Sequence, residues 1–183
     1  NLKSCPIDDR TWNDESRSLF LRLLASGPAL LQVWEEIDFV DIPGRLIPEW
    51  LAIRNRPSAS AAHRYTIDRH SVEVVTRLGR ETPRGNRYDD RHYQALLLAG
   101  ILHDVGKRPG VADHAAEGAR HASMVLKRMG FDRDIIWWVT LLVREHLTLS
   151  EFATGQNPND PNVGDELASR LDHDPLLLDM LFD

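Results

Sequence analysis

The sequence feature that most constrains the fold is a repeated pattern of capped amphipathic helices. A capping residue is followed by apolar residues spaced three or four apart, and a glycine or proline then ends the segment. Asp113, for example, precedes a segment that runs to Gly130, and Asp132 precedes the next apolar segment. The alternation of apolar and polar residues that a half-buried strand requires is nearly absent. The sequence therefore predicts an all-α fold, built as a single helical bundle.

The same signals place further helices along the chain. Their predicted starts are Asn13 or Asp14, Pro28, about Asp68, Asp89 or Asp90, about Asn162 and about Pro175. Residues 41–62 are rich in Pro, Ser and Ala around a short segment at 48–54, and we predict a long connection there. Residues 155–161 are predicted to form a loop.

Composition and charge exclude several classes of protein. The net charge of −6 and the lack of a basic run argue against a nucleic-acid-binding surface. The longest apolar stretches, at 95–102 and 135–143, are too short to span a bilayer, so we expect no membrane partner. The single cysteine, Cys5, cannot form an internal disulfide, and no signal-peptide pattern is present. These features are typical of a cytoplasmic protein.

Both ends of the sequence predict a piece of a longer protein. The chain starts at Asn1 rather than at methionine, and it stops within an apolar helical pattern. Residues 1–42 are expected to form N-terminal helices that lead into a domain over 43–183. We expect the C-terminal end of that domain to be incomplete.

The histidines carry the clearest chemical signal. His103-Asp104 ends the most apolar predicted helix, whereas the second His-Asp pair, His173-Asp174, lies in a plain turn between helices. A charged pair at the end of a core helix needs a partner, because burying an unpaired charge is costly. Imidazole and carboxylate together bind divalent cations, so a metal ion is a suitable partner.

Two neighbouring residues cannot enclose a metal, because their side chains point about 100° apart on a helix. His70, His114 and His146 each lie near the end of a helix with an apolar body, so they can converge on the His103-Asp104 pair. Taken singly, each of the three also fits an ordinary polar histidine at a helix end. Together they predict a metal site.

Several segments together resemble one protein family, in the same order along the chain. They are PEW at 48–50, HRYTIDRHSVE at 63–73, LHDVGK at 102–107, DHAAEGA at 113–119, VREHL at 143–147 and DP at 160–161. This order resembles the HD superfamily of metal-dependent phosphohydrolases. More closely, it is similar to the bifunctional uridylyltransferase/uridylyl-removing enzymes that act on the PII nitrogen-signal protein. The resemblance covers roughly residues 43–183.

The resemblance implies a function and a set of site residues. The HD domain of that family removes a nucleotide from a tyrosine of PII, between a nucleotidyltransferase domain and glutamine-sensing ACT domains. The resemblance implies a divalent metal (Mn, Mg or Fe) held by candidates that share its motifs: His70, His103, Asp104, His114 and His146. Asp104 would also orient the nucleophile. Lys107 would neutralise charge on the phosphoryl group, although a lysine at a helix C-terminus is also favoured by the helix dipole alone.

The sequence departs from the family pattern at positions where the family has metal ligands or a nearby acidic residue. Glu145-His146 replaces a His-His pair, so Glu145 is an additional candidate ligand. The family's Arg-Arg-Asp appears as Gly155-Gln156-Asn157, and its final metal-binding Asp would lie beyond Asp183. We therefore expect the 183-residue chain to bind metal weakly and to be weakly active.

Other residues near these motifs are weaker candidates. His121 shares a helical face with His114 but also fits a polar helix position. Arg69 neighbours His70 and equally fits a structural ion pair, while His63 and Arg64 are candidates to contact a substrate phosphate.

Two other functions stay open at this stage. The sequence is also compatible with a catalytically idle HD module that transmits a signal between neighbouring domains. It also fits a free-standing hydrolase of small nucleotides or alarmones. Fold alone does not decide, since one fold supports many chemistries.

Overall fold

A computed structural model describes residues 12–58, 65–81, 88–157 and 160–183. The first helices are α1 (Asp14–Leu24), α2 (Ala29–Phe39), α3 (Ile42–Leu46), a 3₁₀ helix (Pro48–Ala52) and α4 (Ile67–Glu81). Those that follow are α5 (Asp90–Leu102), α6 (His114–Met129), α7 (Arg133–Glu145), α8 (Thr148–Gly155), α9 (Pro161–Arg170) and α10 (Pro175–Phe182). The described residues contain no strand, only an isolated bridge between Pro57 and Thr66. The prediction of an all-α fold is confirmed.

The helix starts follow the capping chemistry of the sequence. The side chain of Asn13 accepts a hydrogen bond from the backbone N–H of Ser16, and Asp113 accepts one from Ala116, both at 2.9 Å. These bonds satisfy N–H groups that have no partner within the helix. Gly130 ends α6 in the left-handed conformation, with φ at +77°, which glycine adopts without strain.

Helix α5 is the centre of the bundle. Its residues from Ala95 to Leu102 are all buried, and α4 and α7 pack against it. Helix α7 also packs along α6, which completes the frame around the C-terminal end of α5. Phe20 and Trp34, from the helices before residue 43, belong to the same hydrophobic core. The most apolar helix is therefore the one that carries His103-Asp104 at its end.

Two segments contain helices that the sequence analysis did not predict. Residues 41–62 contain α3 and the 3₁₀ helix, because burial of Trp50 in the core stabilises short turns that have little helical signal of their own. Helix α8 occupies residues for which we predicted no helix, and Phe152 is its main buried contact. Cys5, His63 and Arg64 lie outside the described residues. No helix in the described part of the chain is both long and apolar enough to cross a bilayer.

The turn after α5 depends on a glycine. A side chain at Gly106 would place its Cβ 2.2 Å from the carbonyl oxygen of His114 and 2.4 Å from the backbone nitrogen of Gly118. Only glycine fits such a close approach of two backbones. This contact fixes the first turn of α6 against the turn that follows His103-Asp104.

We predict that Gly106→Ala lowers the free energy of unfolding by about 1–3 kcal/mol, because the added methyl group forces α6 away from the turn. Urea denaturation followed by circular dichroism measures the change. Gly164→Ala in α9 is the matched control, since no atom lies within 4 Å of its added Cβ. In a helix interior that exchange is expected to stabilise by up to about 1 kcal/mol. Equal stability of the two variants would contradict the prediction.

Candidate metal centre

The carboxylate of Asp104 is the most buried charged group of the candidate site. Its side chain is only 1% exposed. Lys107 Nζ lies 2.8 Å from Asp104 Oδ2, and His103 Nε2 lies 3.3 Å from the same oxygen. On the other side, His146 Nε2 lies 3.6 Å from Asp104 Oδ1. Positively charged or polar groups therefore surround both carboxylate oxygens.

His103 and His146 are oriented by the same local contact. His103 Nδ1 donates to the carbonyl oxygen of Gly100 at 2.9 Å, and His146 Nδ1 donates to that of Val143 at 2.7 Å. Each histidine directly follows its helix, so it reaches a carbonyl of the last turn. This contact leaves Nε2 of each ring on the Asp104 side, 3.3 Å (His103) and 3.6 Å (His146) from a carboxylate oxygen, where it can face either that carboxylate or a cation bound beside it. Metal-binding histidines are commonly oriented by such a bond.

The other two histidines complete the cluster. His70, near the start of α4, lies with its ring centroid 5.2 Å from that of His103. His114, the first residue of α6, lies 5.5 Å from the ring centroid of His146. The structure thus brings together residues from the ends of α4, α5, α6 and α7.

The cluster contains two groups of three potential metal ligands. His70, His103 and Asp104 each offer a ligand atom within 4.8 Å of the others, and so do Asp104, His114 and His146. Asp104 belongs to both groups and has two oxygens to offer. This arrangement can hold one divalent cation, or two that share the Asp104 carboxylate.

Unsatisfied polar atoms indicate that the residues fit a metal. Asp104 Oδ1, His114 Nε2 and His146 Nε2 are buried and have no hydrogen-bond partner among the described residues. Buried polar atoms are rarely left without a partner in folded proteins. A cation in contact with these lone pairs would satisfy all three atoms, and mixed imidazole and carboxylate ligands suit a divalent transition metal.

The electrostatics favour, for Asp104 and His114, the protonation states that metal binding requires. Burial alone would raise the pKa of Asp104, but His103, His146 and Lys107 lower it well below its ordinary value, so the carboxyl group is ionised. Burial, together with the positive charge of Lys107, lowers the pKa of His114 and favours its neutral, metal-binding form.

Three further candidates lie outside the two ligand groups. Glu145 accepts a hydrogen bond from Thr148 Oγ1 at 2.7 Å, and its carboxylate also lies 3.6 Å from Arg170. His121 is buried rather than exposed at a polar position, and its Nε2 lies 2.8 Å from Glu117 Oε1. Arg69 forms ion pairs with Glu73 and Glu35, so its contacts are those of a structural ion pair.

Sequence reasoning missed the groups that orient the cluster. The carbonyl oxygens of Gly100 and Val143 carry no side-chain signal. The position of each histidine directly after a helix was the available indication, because the last carbonyls of a helix lack partners within it.

A cavity of about 300 Å³ opens onto the same cluster. His70, His103, Asp104 and His146 line it together with many apolar side chains. Its apolar lining comes from α4, α5, α7 and α10 and includes Val74, Leu78, Leu96, Leu142 and Met180. The cluster is therefore partly screened from solvent yet accessible to a ligand.

The two His-Asp pairs of the chain provide a matched test. We predict that Asp104→Asn weakens Mn²⁺ binding by at least about 100-fold, because even the residues that support metal ligands contribute 10- to 100-fold. Asp174→Asn is the control: Asp174 caps α10 through Leu176 N, and asparagine can also cap. Titration calorimetry and Mn²⁺ electron paramagnetic resonance measure both variants. If both variants lost the same Mn²⁺ affinity, or if Asp104→Asn lost none, Asp104 would not be a metal ligand.

Comparison with known proteins agrees with this geometry. The HD domain family matches residues 67–174. A bifunctional uridylyltransferase/uridylyl-removing enzyme of Streptomyces coelicolor is 40% identical over 82% of the chain. Enzymes of the same name from Mycobacterium tuberculosis and Caulobacter vibrioides are 35% and 32% identical over 97% and 79% of it.

The compared proteins are much longer than this chain. The matched regions cover 17%, 21% and 16% of the Streptomyces, Mycobacterium and Caulobacter enzymes. The similarity therefore concerns one region of multidomain proteins, and the family match includes all the histidines of the cluster. The chain belongs to the HD-domain family and is homologous, over most of its length, to bifunctional uridylyltransferase/uridylyl-removing enzymes.

Proposed function

We propose that this domain hydrolyses a nucleotidyl-tyrosine phosphodiester and so removes UMP or AMP from the PII protein. The observation that carries the proposal is the pair of ligand groups that share the buried Asp104 carboxylate. The names of the homologous enzymes, which include uridylyl removal, support the substrate class.

The chain's own residues would hold the metal and the substrate. His70, His103, His114 and His146 would bind one or two ions of Mn²⁺, Fe²⁺ or Mg²⁺ together with Asp104. A divalent ion bound there would polarise a phosphoryl oxygen and lower the pKa of a coordinated water. Asp104 would also orient the attacking water, since its carboxylate lies at the centre of the cluster.

Lys107 supports the phosphoryl chemistry in this proposal. Its ammonium group lies beside the cluster and pairs with Asp104 at 2.8 Å. Charge develops on the phosphoryl oxygens as the new bond forms, and a fixed cation nearby stabilises it. Lys107 would therefore serve both to keep Asp104 ionised and to stabilise the transition state.

The leaving group makes modest demands on the protein. Water oxygen bonds to phosphorus while the bond from phosphorus to the tyrosine oxygen breaks, and the proton lost by water ends on the tyrosinate. Because a phenol has a pKa of about 10, it leaves more easily than an alkoxide, and a strong general acid is not needed. The absence of a dedicated acid from the proposed residue set is consistent with this substrate.

We further propose that the whole protein carries a nucleotidyltransferase domain and glutamine-sensing ACT domains, and that it acts in the cytoplasm. The small share of each homologue that this chain covers supports the first part. In such a protein, glutamine binding would control which of the two opposing reactions on PII proceeds.

The decisive experiment is hydrolysis of modified PII by the full-length protein with Mn²⁺. We expect release of nucleoside monophosphate from uridylylated or adenylylated PII, and at least about 100-fold slower release by Asp104→Asn. Asp174→Asn should retain activity. Hydrolysis of guanosine tetraphosphate or a cyclic dinucleotide, with none of modified PII, would overturn the substrate assignment. If the protein bound metal fully but hydrolysed neither modified PII nor either of these small nucleotides, it would be an idle signal-transmitting module.

A further inference from the structure

A second groove, of about 910 Å³, lies next to the metal-ligand cluster. It is bounded by the turn at residues 54–58 and the loop at residues 107–111, and His114 and Lys107 connect it to the cluster. The described residues that line it include four Lys or Arg side chains and no Asp or Glu: Arg54, Arg56, Lys107 and Arg108. In a chain with a net charge of −6, this groove is locally positive.

Two of these four cations are already neutralised by acids of the chain. Arg54 Nε lies 3.0 Å from Asp38 Oδ1, and a second nitrogen of its guanidinium lies 3.1 Å from Asp41. Lys107 is paired with Asp104. The uncompensated charge of the groove therefore comes from the other two arginines.

Arg56 and Arg108 are placed to bind an anion. Neither forms an ion pair with a carboxylate in the part of the chain that the structure describes. Arg56 Nε donates to the carbonyl oxygen of Ala52 at 2.9 Å, which orients its guanidinium. Arg108 Nε is buried and has no hydrogen-bond partner among the described residues. The described chain therefore offers this donor no acceptor, and Arg108 lines the groove without a neutralising carboxylate.

Apolar side chains also line the groove, beside the polar residues Asn55, Ser58 and His114. The apolar residues include Pro57, Ile67, Val111 and Leu147. The groove volume is within the range of about 300–1,000 Å³ that is typical of small-molecule sites. A groove lined by both guanidinium groups and apolar side chains matches a phosphate attached to a flat organic group, because guanidinium binds phosphate in a bidentate manner.

We propose that this groove binds the nucleoside monophosphate part of the substrate, with Arg56 and Arg108 as its anion-binding residues. This inference rests on the proposed function, because it assigns one side of the same site to the nucleotide. Hydrolysis converts a phosphodiester, which carries one negative charge, into a monophosphate, which carries nearly two negative charges. The groove therefore holds the nucleotide product more tightly than the diester.

Titration calorimetry on the 183-residue chain in metal-free buffer tests the proposal, with UMP, inorganic phosphate and uridine as probes. We expect UMP to bind more tightly than either phosphate or uridine, because it alone contacts both the arginines and the apolar lining of the groove. Arg56→Gln and Arg108→Gln should each weaken UMP binding roughly tenfold, the loss expected for one charge-assisted hydrogen bond.

Arg133→Gln is the matched control, because Arg133 is exposed at the start of α7 and does not line the groove. It should bind UMP like the unchanged chain. Should Arg108→Gln fail to fold, as judged by circular dichroism, Arg56→Gln decides the outcome.

Equal binding of UMP and inorganic phosphate, or unchanged UMP binding in folded arginine variants, would overturn the proposal. Because no metal is present, the measurement does not depend on turnover. Loss of PII hydrolysis with intact UMP binding would therefore count against the proposed function and leave the nucleotide groove in place.

Discussion

The burial of one ionised carboxylate determines the rest of the site. Asp104 ends up almost free of solvent because the apolar helix α5 leads directly to it. Such a charge is tolerated only if other groups compensate it. His103, His146 and Lys107 supply that compensation within 3.6 Å, and they come from two different segments of the chain. The same charge that demands compensation would also attract a cation.

The ends of the helices do two things at once in this structure. The last carbonyl groups of an α-helix have no partner within the helix and must be satisfied from outside. At α5 and α7 the imidazole of the following histidine satisfies one of them, through Gly100 and Val143. The bond that completes the helix also fixes the orientation of the ring. Two candidate ligand positions therefore follow from ordinary helix termination rather than from a specialised loop.

Much of the fold and part of the site could be predicted from sequence, for physical reasons that differ by element. Helix α6 was predictable because Asp113 and Gly130 mark its ends chemically, and His103-Asp104 stood out because it follows the most apolar helix. The short helices α3 and α8 were not predictable, since burial rather than local propensity stabilises them. The orientation of Glu145 towards Thr148 depends on how α7 meets α8 and α9, which adjacent letters in a sequence do not encode. The arginine groove was missed for a similar reason, because Arg56 and Arg108 lie far apart in the sequence.

The candidate ligands lie on four helices that are distant in sequence, and this has a consequence for folding. An unfolded chain cannot present Asp104, His114 and His146 to the same ion, so only the native state would bind it well. Binding to the native state alone shifts the folding equilibrium by mass action, by about 2.7 kcal/mol when the ion is at 100 times its dissociation constant. The melting temperature of the domain would then rise and fall with the free metal concentration around it. A shortage of metal would reduce not only the activity of the domain but also the amount of folded protein.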